Sequence, residues 1–424
     1  MLQASENSLP FLPSGTHSQV LIVGAGPAGL ALAQELRGLG GRVTLVEQAP
    51  LAALSQPAFD GREIALTQRS VTTLQRLGAW ERIPPEAISP LRDAKVMDGV
   101  NPFAMVISHQ DAPVADGGKA HTELGFLVGN HHIRQALFEA VFAASEEKTG
   151  AERPVLISGK AVKNVQTTPL GACVTLDDGT RLTADLLVAA DSRHSGTRRA
   201  LGLAADLHDF GRSMLVCHMT HDEPHHHAAW EWFDYGQTLA LLPMNDCPQT
   251  GRARSSVVLT LPSSDMHALE QLAPDAFNTD LQRRFANRLG RMELASTRHV
   301  YPLVAVYPRR LVGPRLACVG DAACGMHPVT AHGFNLGLRS TEALAQALAK
   351  AQRKGQAWHD PAVLAAYERT HWLASRPTYL ATQWITRLYT AETPLARLAR
   401  QAALRLGWGL VPFRRAVAAS LTGV

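Results

Sequence analysis

Residues 19–47 read QVLIVGAGPAGLALAQELRGLGGRVTLVE. The apolar, largely β-branched run VLIV has the character of a buried strand. Glycines follow, ALAQELRGLG spaces its apolar residues at helical intervals, and a second apolar run ends in Glu47. Strand, glycine turn, helix, strand, acid is the order of a dinucleotide-binding unit. Gly24 permits the tight turn, Gly26 lets a pyrophosphate approach the backbone, and Gly29 lets the helix lie close to the strand. The helix N-terminus then presents its amides to the phosphates. Glu47, eighteen residues after Gly29, is placed to accept the adenosine ribose hydroxyls. That disfavours a 2′-phosphate and favours FAD or NAD over NADP. Glycine-rich turns precede many helices, so the flanking strands and the acid carry the reading.

A chain of 424 residues exceeds the usual size of one core and predicts two domains with a terminal appendage. Charged residues make up 18% and the hydrophobic set 46%, ordinary for a globular enzyme. A net charge of +4 is too small to argue for nucleic acid without a concentrated patch. The five cysteines are scattered, odd in number and never spaced as CxxC; they read as reduced cytoplasmic thiols, with no metal site expected. The first residues carry no secretory signal pattern. No apolar run is long enough to span a bilayer, so any membrane contact is expected to be peripheral.

Further along, DGREIALTQRSVTTLQRLGAWERI (60–83) offers Arg62 ahead of a helix, and GFLVGNHHIRQALFEAVFAA (125–144) offers Arg134 near a helix start. VTLDDGTRLTADLLVAADSRHSGTRRALG (174–202) predicts a hairpin turning at Asp178–Gly179, then a buried strand running into Asp191. LACVGDAACGMHPVTAHGFNLGL (316–338) predicts a strand ending in Gly320–Asp321, a turn through Pro328, and a helix from about Gly333.

GAGPAG with Glu47, ADLLVAADSRHSGTRR and VGDAACGMHPVTAHGFNLGL, in that order, resemble the class A FAD-dependent aromatic monooxygenases with the p-hydroxybenzoate hydroxylase-like fold. Within them the chain looks closest to the ubiquinone-biosynthesis hydroxylases, and MHPVTAHGFN is similar to the 5-demethoxyubiquinol 5-hydroxylase branch. The resemblance runs from about residue 18 to the C-terminus. It implies an α/β fold in which a Rossmann-type FAD domain is interrupted by a β-sheet substrate domain. It also implies that Asp321 meets the flavin's ribityl hydroxyls, that Pro328 lies beside the isoalloxazine, and that the helix starting at Gly333 and Asn335 aims its amides at the pyrimidine end of the ring. A reduced flavin is anionic there, and a helix N-terminus stabilises such charge. Gly24, Gly26, Gly29, Glu47, Arg62, Arg134 and Asp191 complete the expected cofactor set.

The chain departs from the family pattern where Cys324 replaces a histidine, His332 a glutamine and Ser192 a glycine. The last change leaves the electron donor open between NAD(P)H and a redox protein. The implied chemistry is hydroxylation of a polyprenylated phenol or quinol, most simply at ring C5, using O2 through a flavin C4a-hydroperoxide; the protein must orient the ring and exclude water. His332 is the candidate catalytic residue, against the alternative of a hydrogen-bonded structural histidine. Cys324 reads as a small buried thiol. A reductase, a dehydrogenase or another aromatic hydroxylase on the same fold, and a non-catalytic flavin-bearing component of a quinone-biosynthesis assembly, are the alternatives.

The expected division is 18–84, 125–204 and 311–380 for the discontinuous FAD domain, 85–124 and 205–310 for the substrate domain, and 381–424 for a C-terminal helical segment. In the substrate domain SMLVCHM, TLALLPM and SSVVLTL read as strands. HDEPHHH (221–227) lacks ligand spacing, and Trp230 and Trp232 of WEWFDY fall on one face of a strand. The C-terminal stretch sets Arg387, Arg397, Arg400, Arg405, Arg414 and Arg415 against Glu392 alone. Such a basic amphipathic end suits an anionic bilayer or a partner protein, or simply a solvated face on a capping helix. The expected setting is cytoplasmic, with peripheral contact at the inner membrane as the membrane option.

Overall fold

The computed structural model describes residues 17–99, 103–113, 121–143, 152–234, 236–328, 331–390 and 409–423. The first sheet runs Val312–Gly313, Leu316–Cys318, Arg181–Ala189, His17–Val23, Val43–Glu47, Val155–Ser158, with two further antiparallel strands, Gly171–Leu176 and Val162–Thr168, beside Arg181–Ala189. From Leu316–Cys318 to Val155–Ser158 the pairing is parallel. Val20, Leu21 and Ile22 are all fully buried, the pattern of a parallel strand covered on both faces. The helix Pro27–Gly38 packs against Asn130–Phe142 and Gly333–Arg353.

A second, mixed sheet runs Met292–Leu294, Ala205–His221, Ala253–Pro262, Gln237–Met244, Ala228–Asp234, Asp93–Asp98, Ala104–Ser108, and His299–Pro308 pairs with Ala205–His221. Alternation decides its faces. Leu215, Cys217, Leu239, Leu241, Val257 and Leu259 point to one side, where they join Phe277 and Leu281 of the helix Pro274–Arg284 in a closed core. The opposite side turns toward the first sheet's domain. A three-stranded antiparallel sheet of Glu63–Thr67, Gly125–Gly129 and Ile88–Leu91 accompanies them. The α/β class and the p-hydroxybenzoate hydroxylase-like architecture read from the sequence are therefore present, as is the helical C-terminal region.

The chain passes between sheets more often than a simple insertion would require. Ile88–Leu91 pairs with Gly125–Gly129, while its sequence neighbour Asp93–Asp98 joins the second sheet. The helix Pro361–Thr390 runs without interruption across residue 380, where the sequence places a segment edge. Arg397, Arg400 and Arg405 lie outside the described residues, as does the side chain of Arg387. Of the basic C-terminal set, Arg414 is seen to pair with Asp111 at 3.4 Å. It lies on the final helix, Val411–Thr422, whose Ala418 is fully buried.

Candidate active site

Four neighbouring parallel strands carry the three motifs, so their carboxyl ends lie along one edge of the first sheet, where open α/β sheets bind ligands. Gly24 follows His17–Val23, Glu47 closes Val43–Glu47, Asp191 follows Arg181–Ala189, and Asp321 follows Leu316–Cys318. The backbone stitches them together: Ala190 N donates to Val23 O at 2.8 Å and Val319 N to Ala189 O at 2.9 Å. Gly24 has φ +106°, and a Cβ there would overlap the carbonyl of Ala190. A Cβ on Gly29 would overlap the carbonyl of Gly24, whereas one on Gly26 would meet nothing within 4 Å. Two glycines are thus dictated by packing, and the middle one faces open space of the kind a pyrophosphate requires. Gly320 (φ +62°) brings the third motif to the first, since its Cβ would lie 2.6 Å from that of Ala28.

Two helices end at this edge without side-chain caps and without acids in their first turns, Pro27–Gly38 and Gly333–Arg353. Their orphan amides and positive ends are free to meet an electron-rich ligand. Glu47 Oε2 accepts from Ala25 N (2.8 Å) and Oε1 from Ala49 N (2.9 Å), which fixes the carboxylate beside the glycine turn. The Asp321 carboxylate is 3.1 Å from Arg193 Nη2. Both carboxylates keep lone pairs for hydroxyl donors. Gly333 has open space where a Cβ would point, and Pro328 is exposed ahead of it. These features fit an FAD.

Other expected site residues are engaged differently. Asp191 accepts from Ser195 Oγ (2.5 Å) and Thr197 N (3.0 Å), closing its own turn. Asn335 is a bracket: Oδ1 accepts from Thr67 N (3.1 Å) and Ser70 Oγ (2.7 Å), and Nδ2 donates to Ala65 O (2.8 Å) and Ala331 O (3.0 Å). That fills the amide's capacity with protein partners. His332 places Nε2 3.0 Å from Ser420 Oγ on the final helix, a contact the sequence did not suggest. Cys324 is buried, and burial pushes its thiol well up.

Arg62 pairs with Asp60 through Nη2 at 2.6 Å, and its guanidinium lies 5.4 Å from the Tyr301 ring. Burial pulls the Asp60 carboxyl up, but Arg62 and Asn130 more than offset it and hold the group below the usual carboxylate range. Arg134 lies on the helix Asn130–Phe142, whose first residue donates Nδ2 to Asp60 at 2.7 Å. Tyr301 OH donates to Asp60 O at 2.8 Å. The Asp60–Arg62 turn therefore joins the second sheet to the first domain. Arg198, which the sequence reading passed over, is 3% exposed and donates Nη1 to Arg193 O and Ala322 O, both at 3.1 Å. It locks the middle motif to the last. Its only sequence signal is the pair of arginines in GTRR.

Comparison with known proteins agrees with this geometry. The family model described as FAD binding domain matches residues 17–375. The chain belongs to that family. It is an FAD-dependent monooxygenase, a class A flavoprotein, and the FAD expected from the sequence is its cofactor. It is 42% identical over 407 residues to the ubiquinone hydroxylase UbiM of Neisseria meningitidis, covering 96% of this chain and 85% of that one. It is 32% identical to the ubiquinone hydroxylase UbiL of Rhodospirillum rubrum, covering 93% and 86%. Among solved structures, p-nitrophenol 4-monooxygenase PnpA of Pseudomonas putida shares the fold with a TM-score of 0.70 at 18% identity, over 96% and 98% of the two chains.

Buried imidazoles give this monooxygenase a pH limit. His327 and His371 are 8% and 1% exposed, and burial lowers each to about 4. Both are neutral in the fold, while the unfolded chain protonates them near 6.5. The unfolded state binds more protons between those values, so stability is complete above about pH 6.5 and declines as pH falls toward 4. The ceiling is about 3 kcal/mol for each group. Urea midpoints at pH 7.5 and pH 5 should fall accordingly; equal midpoints would mean that the imidazoles are protonated in the fold.

Proposed function

We propose that this monooxygenase hydroxylates the aromatic ring of a polyprenylated phenol or quinol in ubiquinone biosynthesis, at ring C5. The observation that carries it is the 42% identity to a ubiquinone hydroxylase along nearly the whole chain. The bound flavin supplies activated oxygen from O2. The chain's own part is to hold the cofactor at the edge described above, to seat the ring between that edge and the second sheet, and to exclude water. In this reading residues 18–84, 125–204 and 311–380 carry the flavin, and 85–124 with 205–310 carry the substrate. His332, whose Nε2 lies 3.0 Å from Ser420 Oγ, is in this reading the residue that handles a proton or meets the substrate beside the flavin. The test is quinone-pool mass spectrometry in a bacterium lacking its own C5 hydroxylase. Restored ubiquinone and loss of the intermediate without that oxygen support the position; yellow, folded protein without restoration argues for another ring position or another flavoenzyme class.

Among the described residues no helix is long and apolar enough to cross a membrane. Peripheral contact is supported by the outer face of Pro361–Thr390. Leu373, Leu380 and Trp384 are 64%, 44% and 68% exposed and fall on one narrow stripe at spacings of seven and four. Arg376 lies beside them over Trp372. A prenylated substrate resides in the bilayer, and such a stripe would bring the site to it. Trp384→Ser should weaken binding to phosphatidylglycerol-containing vesicles about tenfold while FAD content stays unchanged; undiminished flotation with vesicles would exclude this face.

A further inference from the structure

The side of the second sheet that faces the FAD domain is defined by three rows of paired residues. One row is Val96, Glu231, Ala240, Val258, Val216, His299. A second contains Leu242, Ser256 and His218, and a third Phe233, Thr238, Thr260, Met214 and Tyr301. Each row ends on the same turn of the FAD domain. Val216 and His299 are the atoms a Cβ on Gly61 would strike, His218 Nε2 is 3.1 Å from Glu63 Oε1, and Tyr301 bonds the Asp60 carbonyl. This face therefore meets the FAD domain at the turn that leads into Glu63–Thr67, the strand to which Asn335 ties the helix start at Gly333.

The face is not packed shut. The residues behind it, such as Leu215, Leu239, Leu241 and Val257, are fully buried, yet Met214, Glu231, Leu242 and Val258 at its centre are only half-buried. A sheet centre that retains accessible surface between buried flanks borders a cleft. The lining mixes apolar side chains with His218, Thr238, Thr260, His299 and Tyr301, and it holds two further polar groups, Ser256 and Glu231. Ser256 Oγ is buried with no partner among the described residues. Glu231 makes no hydrogen bond or ion pair with a described residue; it keeps accessible surface on the cleft, yet desolvation by the side chains around it pushes its carboxyl up to about 8. A carboxyl placed in apolar surroundings without a partner destabilises the fold, and such residues recur where function requires them.

We propose that Glu231 contacts the ring hydroxyl of the aromatic substrate and accepts its proton as the ring attacks the activated oxygen. The hydroxyl O–H bond breaks, a carboxyl O–H bond forms, and the electron pair left on oxygen feeds the ring. A ring C–O bond forms as the O–O bond of the O2-derived oxidant breaks, the second oxygen leaves as water, the ring C–H proton is lost on rearomatisation, and the two electrons come from the reduced flavin. Ser256 can donate to the substrate but cannot take a proton at neutral pH. The inference rests on the aromatic hydroxylation proposed above. The charged and titratable groups that the register places on this face are Asp98, Arg212, His218, Arg254, Glu293, His299 and Tyr301. Facing it are Asp60, Arg62 and Glu63 of the turn, and the Arg414–Asp111 pair where the final helix packs beside Met105 and Val96. Val96 and Ala240, the residues paired with Glu231, do not titrate.

The test is single turnover. Holoenzyme is photoreduced without oxygen, then mixed with O2 and short-chain prenylphenols, so that the electron donor does not enter. The wild-type rate is expected to rise with pH through about 8. Glu231→Gln should keep its FAD, melt no lower than wild type, lose the pH dependence and form product at least about 100-fold more slowly. A wild-type rate and pH profile in E231Q would overturn the assignment while leaving the proposed function intact. If wild type hydroxylates no prenylphenol, the proposed function fails and this assignment with it. Should E231Q not accumulate as yellow protein, E231M, of similar volume, replaces it: slow turnover supports the role, and wild-type turnover removes it.

Discussion

Gly29→Ala is expected to prevent accumulation of folded protein, whereas Gly26→Ala, three residues earlier, should give a folded and colourless one. The two substitutions add the same methyl group to the same turn. At Gly29 it would occupy the position of the Gly24 carbonyl oxygen. Relief requires the helix Pro27–Gly38 to move off a strand on which Leu30, Leu32 and Leu36 are packed with almost no exposed surface. Overpacking of this kind costs about 1–3 kcal/mol where neighbours can yield, and backbone yields less than side chains. At Gly26 the methyl group meets no protein atom within 4 Å, so the apoprotein should tolerate it. The same space is where phosphate oxygens approach the helix amides. Melting curves of the apoproteins and flavin absorbance after gel filtration separate the outcomes. G26A that retains stoichiometric FAD would contradict the placement of the pyrophosphate, and a soluble, yellow G29A would contradict the close approach of helix and strand.

The second large effect is expected at Asn335. Asn335→Ala removes one side chain and leaves Thr67 N, Ser70 Oγ, Ala65 O and Ala331 O short of a partner together. Unsatisfied buried groups cost about 1–3 kcal/mol each, less where water can enter, so a loss of roughly 2–4 kcal/mol is expected overall. The bonds tie the start of the helix Gly333–Arg353 to the strand Glu63–Thr67. FAD affinity should therefore fall along with the urea midpoint, although the side chain has no capacity left for the cofactor. Ser70→Ala, which removes one of these bonds, is the control and should cost about 1 kcal/mol. An N335A protein no weaker than S70A in either measurement would show that the bracket is dispensable.

The contrast between these residues explains how much of the site was legible in the sequence. Gly24, Gly26, Gly29 and Glu47 could be read because a glycine turn between strand and helix has one steric purpose and the acid follows at a set distance. Asp321 was expected at the site from the resemblance of VGDAACGMHPVTAHGFNLGL to the family pattern, and it follows Leu316–Cys318 on the same sheet edge. Arg198 could not be read, because nothing local distinguishes it from the exposed Arg199 beside it. Asn335 was expected at the cofactor because its helix starts there. Which way its amide turns depends on Ala65 and Thr67, some 270 residues earlier.

Local sequence determined the dinucleotide unit, its acid, the hairpin at Asp178–Gly179, and the alternation that gives the second sheet two faces. Periodicity and glycine sterics act within a few residues and need no knowledge of the rest of the chain. Only the tertiary structure decided which face of Ala228–Asp234 looks toward the flavin. Alternation separates Glu231 from Trp230 and Trp232, but it assigns neither set to the cleft. Register across five strands places Glu231 in a row that ends on Gly61. Those pairings are long-range, and strand register is set by the packing of whole faces.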